Sequence, residues 1–211
     1  MFANRTQAAH QLAQHLQAYE GENPLVLAIP RGALPMGKII AEALGGELDV
    51  VLVHKLGAPG NPELAVGAVS EKGAVFTNAN ARALGVSREY IDREAEKQLQ
   101  VLKERRERYT PDRGPIRPEG RTVIVVDDGV ATGSTMVAAL RTLREADPDR
   151  LIVAIAVAPA DTVKDLREEA DTVICLEVPH PFVAVGQAFV EFDPVTDDEA
   201  IAVLQSTWGE T

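Results

Sequence analysis

Short, uninterrupted apolar runs alternate along this chain with segments whose apolar residues recur every three or four positions. The runs "PLVLAIP" (24–30), "LDVVLVHK" (48–55), "RTVIVVD" (121–127), "RLIVAIAVAP" from Arg150 and "DTVICLEV" from Asp171 are bounded by Pro, Gly or charged residues. Runs of that length with those boundaries predict buried strands. Helical spacing predicts helices over 34–44, closed by Gly45, and over 133–146 and 161–169. An amphipathic segment, 5–19, begins at Asn4 with Gln7 three residues on, a helix-start pattern. A longer helix over 87–109 puts Ile91, Ala95, Leu99 and Leu102 on one face. A short helix follows Asp197. Strands alternating with helices predict an α/β fold built on a parallel sheet.

Two regions break that alternation. Residues 55–120 begin with the Gly/Pro-rich "LGAPGNP", and "AVGAVS" and "AVFTN" suggest a hairpin through Glu71–Gly73. The basic end of the long helix, "KERRER", reads most simply as a solvated face with cations at the helix C-terminus. The tail from Pro179 holds three of the five phenylalanines. A single domain over 1–211 is expected, with 55–120 as a flap and 179–211 as a hood over a site.

The composition narrows the function classes. The chain has 211 residues, 45% of them apolar and 25% charged, with a formal net charge of -11. An acidic surface argues against nucleic-acid or anionic-membrane partners, which are held by basic faces. Any phosphate site must therefore be made locally. The single cysteine, Cys175, excludes an intramolecular disulfide and reads as a buried, inert thiol. His10, His15, His54 and His180 show no metal-ligand spacing, and the longest apolar run, "LIVAIAVAPA", is too short to span a bilayer. A cytoplasmic location is expected.

In open α/β sheets, ligands gather at the carboxyl ends of strands where strand order reverses. Two strand-to-helix turns qualify, at 30–34 and 127–135. "GALPMGKI" fits the spacing of a nucleotide triphosphatase loop, but Ile39 stands where a metal-binding Ser or Thr is needed, and Pro35 removes an amide donor. The second turn, "DDGVATGST", carries more information. Gly129 and Gly133 permit close backbone approach, successive amides can form an anion nest, and Thr132, Ser134 and Thr135 add hydroxyl donors. The adjacent Asp127 and Asp128 repel phosphate and, when ionised, only accept hydrogen bonds. Together these features suit a ligand with one phosphate and a neighbouring diol, as in ribose 5-phosphate.

"VIVVDDGVATGST" resembles the 5-phosphoribosyl 1-pyrophosphate (PRPP) motif of type I phosphoribosyltransferases. "IPRGALPMG" is similar to that family's pyrophosphate loop. "HKLGAPGNPELAVGAV" and "PFVAVGQAFVEFDPVTDDE" resemble segments of a predicted-phosphoribosyltransferase subgroup of unassigned substrate. The resemblance spans nearly the whole chain. It implies an open, mostly parallel twisted sheet flanked by helices, with a small hood, and transfer of a 5-phosphoribosyl group from PRPP to a small-molecule acceptor with Mg2+ as cofactor. It assigns the ribose hydroxyls and influence over the magnesium to Asp127 and Asp128. The phosphate loop would comprise Gly129, Val130, Ala131, Thr132, Gly133, Ser134 and Thr135. The pyrophosphate would meet Arg31 and Gly32, with a non-proline cis peptide at Pro30–Arg31. Lys55, read as following the second strand, would be a further pyrophosphate contact. Phe182 and Phe189 are candidates to stack a base, against a reading as plain core packing. A homodimer is a candidate assembly.

One position departs from the purine-salvage pattern. Hypoxanthine-guanine members carry an Asp as the fourth residue of the loop, where this chain has Ala131. Two other uses of the fold stay open at this level: a PRPP- or nucleotide-binding regulator without transferase activity, and a hydrolase- or phosphorylase-like use of the pocket.

Overall fold

A computed structural model describes residues 1–111 and 113–207. Asp112, and 208–211 at the end of the expected hood, lie outside the described residues.

The parallel sheet comprises β1 (Leu25–Ala28), β2 (Glu47–Val50), β6 (Thr122–Asp127), β7 (Arg150–Val157) and β8 (Thr172–Glu177), in the order β2-β1-β6-β7-β8. Its strands are apolar on both faces because both faces are covered. Val26, Ala28, Ile124, Val126, Ile152 and Ala154 point into one core, with α1 (Arg5–His15) and α2 (Leu34–Leu44). Leu25, Leu27, Val123, Val125, Leu151, Val153 and Ile155 point into the other, with α5 (Ser134–Arg144) and α6 (Ala160–Leu166). This explains why the strands read as continuous runs rather than as alternating ones. The chain runs from β1 outward to β2, then resumes at β6 and proceeds to β8 on the other side. Strand order therefore reverses between β1 and β6, whose Ala28 and Val126 are register partners. The two candidate loops follow those two strands and are neighbours.

The helices begin and end where local chemistry directs. Asn4 caps α1 by accepting from the Gln7 amide at 3.1 Å, and the Gln7 side chain accepts from the Ala3 amide at 2.6 Å. Such a cap contributes about 1 kcal/mol. The expected 5–19 helix closes at His15, and a separate 3-10 turn covers Gln17–Tyr19. Helix α2 ends at Gly45 in the left-handed conformation (φ 65°). At the C-terminus, α7 (Asp197–Ser206) starts with a capping box between Thr196 and Glu199.

The run 48–55 is not one strand. β2 ends at Val50, and β3 (Val53–Ala58) turns away to pair antiparallel with β4 (Asn61–Ser70), which pairs with β5 (Val75–Thr77). Apolar continuity through the buried link hid the break, because a buried connection and a buried strand look alike in sequence. The expected hairpin through Glu71–Gly73 is present as β4–β5. Residues 79–109 add α3 (Ala79–Ala83) and the long α4 (Arg88–Tyr109).

The basic end of α4 is exposed as expected at Lys103, Glu104, Arg105, Glu107 and Arg108, and departs from the solvated reading only at Arg106. Arg106 is largely buried and forks onto Glu71 (Nε–Oε2 2.7 Å, Nη2–Oε1 2.6 Å), while Nη1 reaches Asp49 Oδ1 at 2.8 Å. Burial opposes its charge, but Glu71 and Asp49 together hold its pKa above the ordinary value. This one side chain joins α4, β2 and the β4–β5 turn.

Candidate active site

The loop after β1 contains the expected cis peptide at Pro30–Arg31. The Arg31 side chain is half exposed, and its Nη1 lies 3.6 Å from Asp197 Oδ1. Gly32 lies directly against the other loop. A Cβ at that position would sit 2.2 Å from Asp128 Oδ2, so any side chain there would displace the carboxylate. Glycine thus brings the backbone of the first loop into contact with the acidic pair of the second.

The second loop starts at the end of β6. The Asp128 amide donates to Asp127 Oδ1 at 2.8 Å. Burial and then the charge of Asp128 push the Asp127 carboxyl well above the usual carboxylate range. Gly129 packs where a Cβ would meet Val185 Cγ1 at 2.4 Å and Val157 Cγ1 at 2.8 Å. Val130 is buried, and its amide donates to the Val157 carbonyl at 2.9 Å. Ala131 is exposed, and its carbonyl accepts from the Thr162 hydroxyl at 2.8 Å. These contacts pin the loop at 129–131. Beyond them, Gly133 adopts φ 76° and heads α5 with no side-chain cap. The amides at the start of α5 therefore have no side chain in the capping position, which is the arrangement of an anion site. Thr132, Gly133 and Ser134 line a cavity of about 450 Å³ whose other walls include Phe76, Asn78 and Arg82, so the loop is open on that side. Thr135 follows within the first turn of α5.

Asp128 has a partner that the sequence reading missed. Arg5, the first residue of α1, donates from Nε to Asp128 Oδ2 at 2.7 Å and from Nη1 to the Asp193 carbonyl at 2.7 Å. Its guanidinium lies 3.9 Å over the Phe192 ring centroid. One local signal was present. A cation at the first position of a helix opposes the helix dipole, so Arg5 sits where helix stability alone would not put it. Asp197, beside Arg31, carried no such signal, because acidic residues are ordinary in a first helical turn.

The remaining expected residues divide. Lys55 does not follow a parallel strand. It lies within β3, and its ammonium pairs with Glu63 of β4 at 3.0 Å. Phe189 is buried, 5.5 Å from Phe2 and stacked 4.8 Å from Phe192, so its ring is spent on packing and is withdrawn as a base-stacking candidate. Phe182 is half-buried against the same core. Cys175 is half-buried rather than fully buried, and burial raises its pKa to about 11, as for an unreactive thiol. Among the described residues, no three His, Cys, Asp or Glu side chains cluster as a ready-made metal site. Among the same residues, no helix is long and apolar enough to cross a membrane.

Known proteins resemble this chain over most of its length. The model of the family described as "Phosphoribosyl transferase domain" matches residues 3–189. Two Mycobacterium tuberculosis proteins, each named "Putative phosphoribosyl transferase", are 39% identical over 205 residues, which is 97% of this chain and 46% of theirs. The chain thus spans about half the length of these curated relatives. The crystal structure of TT1426 from Thermus thermophilus superposes with a TM-score of 0.87 at 43% identity, covering 99% of each chain. With the family model extending over both loops and the whole parallel sheet, the chain belongs to the phosphoribosyl transferase domain family.

Proposed function

We propose that this chain transfers the 5-phosphoribosyl group of PRPP to a small-molecule nucleophile and releases pyrophosphate. The observation that carries the reading is the contact of Asp128 with Gly32. It sets an acidic pair, an uncapped helix start and the cis-peptide loop side by side at the strand-order switch. In this reading Asp127 and Asp128 accept hydrogen bonds from the ribose 2- and 3-hydroxyls. The amides and hydroxyls of Val130–Thr135 receive the 5-phosphate. Arg31 and the Gly32 backbone face the pyrophosphate, and Lys55 reaches it by leaving Glu63, an exposed pair worth about 0–1 kcal/mol.

The reaction breaks the bond from C1 of the ribose to the pyrophosphate oxygen and forms a bond from C1 to the acceptor. The leaving group departs with the electron pair, and an acceptor that began with a proton passes it to water or to the departing pyrophosphate. Positive charge develops on the sugar as the bond breaks, so the chain's tasks are to neutralise the leaving group and align the acceptor. Magnesium fits the donor set as an ion carried mainly by PRPP. Asp127 and Asp128 offer two carboxylates, and magnesium is commonly held by one or two carboxylates plus substrate phosphates. When bound it would supply charge neutralisation on the pyrophosphate. We assign the acceptor side to the segment after β8, with Phe182 as the remaining aromatic candidate.

The test is a screen of bases and amines with PRPP and magnesium, reading released pyrophosphate. Turnover that Asp127→Asn and Asp128→Asn each reduce supports the reading. Each substitution should weaken the ligand by roughly 1.5–3 kcal/mol, the range for a hydrogen bond to a charged group. PRPP binding without turnover of any acceptor would favour a regulatory protein. A thermal shift with ATP but none with PRPP would overturn the assignment.

A further inference from the structure

Arg5 is the point where three separate segments meet: the first helix, the acidic pair and the chain after Phe189. Its seat is prepared by backbone pairing. The Phe2 amide donates to the Ala188 carbonyl at 2.7 Å, the Val190 amide to the Phe2 carbonyl at 2.9 Å, and the Glu191 amide to the Ala3 carbonyl at 2.9 Å. Residues 2–3 are thus zipped to 188–191, which fixes where α1 begins and where Phe192 and Asp193 lie. From that position the Arg5 fork spends Nε on Asp128 Oδ2 and Nη1 on the Asp193 carbonyl, with its face over Phe192. The Arg5 and Asp128 side chains are only 14% and 13% exposed, so water competes little for the bond.

We propose that Arg5 is a positioning residue for the ribose site, holding the Asp128 carboxylate in the orientation that receives a sugar hydroxyl and tying 192–193 to that carboxylate. The inference rests on the ribose 5-phosphate reading of the loop. A carboxylate has two acceptor oxygens. Arg5 occupies Oδ2, the oxygen nearest Gly32, and leaves Oδ1 for the ligand. A planar guanidinium can donate in two directions while lying flat on a ring; a lysine ammonium cannot hold that geometry. A merely structural tie between the chain ends would affect every ligand of the loop alike. A positioning role is selective for ligands that carry the diol.

The experiment compares wild type, Arg5→Met and Arg5→Lys by calorimetry with ribose 5-phosphate, PRPP and inorganic phosphate. Arg5→Met should weaken ribose 5-phosphate on the order of tenfold or more, as expected when a carboxylate that binds a ligand hydroxyl loses its orientation. Inorganic phosphate, which meets only the amides and hydroxyls of the loop, should change less than about twofold. Arg5→Lys keeps the charge but not the fork and should fall closer to Arg5→Met than to wild type. In turnover, the KM for PRPP should rise more than kcat falls. Equal losses for phosphate and ribose 5-phosphate, or no loss for either, would make Arg5 a structural tie while leaving the proposed function standing. A wild-type protein that binds phosphate but neither ribose 5-phosphate nor PRPP would overturn that function and this inference with it. Should Arg5→Met fail to fold, the same comparison on Arg5→Lys decides, and wild-type selectivity in Arg5→Lys would overturn the proposal.

Discussion

The guanidinium of Arg31 lies 3.6 Å from the carboxylate of Asp197, joining the loop after β1 to the first residue of α7. Asp197 is shared, since it also accepts from Arg108 Nη1 at 3.0 Å and from the Tyr109 hydroxyl at 3.3 Å. The Arg31 side chain is half exposed, so this pair is screened and worth about 0–1 kcal/mol. A pyrophosphate, with more charge and more acceptor oxygens, should displace it readily.

Arg31→Ala should therefore weaken PRPP about tenfold or more and leave ribose 5-phosphate unchanged, because only PRPP carries the pyrophosphate. Asp197→Asn should tighten PRPP by up to roughly fivefold, the equivalent of about 1 kcal/mol. Titration calorimetry with both ligands checks this. Equal losses for both ligands in Arg31→Ala would remove Arg31 from the pyrophosphate site.

Asp127 gives the stability a pH dependence of definite sign. Its folded pKa is raised, by burial first and by the Asp128 charge second. The stability it contributes is therefore fully present below the unfolded value of about 3.9 and is lost as pH rises through the folded pKa. Asp127→Asn keeps an oxygen to accept from the Asp128 amide but never charges. Its melting temperature should match wild type in acid and exceed it increasingly as pH rises, by roughly 2–4 °C per kcal/mol recovered in a chain of this size. Ligand binding should fall in the same variant. Melting curves from acid to neutral pH would contradict the assignment if the gap closed as pH rose.

Arg106 touches neither loop but holds two carboxylates, one of which, Asp49, is only 1% exposed. Arg106→Met removes the nearest cation from Asp49 and Glu71; Asp49 keeps Arg113 Nη2 at 3.8 Å and the donating amides of Val50 and Ile116. The expected cost is at most about 3–5 kcal/mol, the range for a buried charge left wholly unpaired. Denaturant unfolding should show this loss. Replacing Arg106 and Asp49 together, with Met and Leu, should recover part of it, since the most buried carboxylate leaves with its nearest cation while the more exposed Glu71 stays behind. A single variant with wild-type stability would show that the cluster is solvated.

Ala131 predicts a substrate preference under the transferase reading. A positioned acid or base is worth about a hundred- to ten-thousandfold in rate, and a methyl group supplies none of it. Hypoxanthine and guanine should be poor acceptors, with orotate, uracil or a non-base acceptor better. Ala131→Asp should fold normally, because the position is exposed and its contact to Thr162 is made by the backbone carbonyl. Turnover of wild type and Ala131→Asp on these four bases decides. Efficient purine turnover by wild type would show that the proton is handled elsewhere.

Much of the framework was legible in one dimension. Helix 34–44 and its Gly45 stop, the start of α1 at Asn4 and the beginning of α7 at Asp197 stand as read, and the strand at 121–127 differs by one residue. The two loops were legible too, because glycine spacing, adjacent carboxylates and hydroxyl residues act on the backbone nearby. The second strand was not, because its end depends on β4 capturing Val53–Ala58, a pairing that no residue of 48–55 announces.

The sequence by itself determined the order of the parallel strands and their covering helices, and with it the class of sheet, together with which residue types stand in the turns at 127–135 and 30–32. These follow from local conformational preference and from which faces must leave water. Only the tertiary structure decided which long side chain meets which carboxylate: Arg5 on Asp128, Arg106 on Asp49 and Glu71, Lys55 on Glu63. It also decided that Phe189 packs between Phe2 and Phe192 rather than facing a ligand. The physical reason is range. Periodicity and turn chemistry act within a few residues, whereas an ion pair or a ring contact forms only between groups that packing brings within a few ångströms. Arginines such as Arg5 and Arg106 are chemically alike along the chain until the fold gives each its partner.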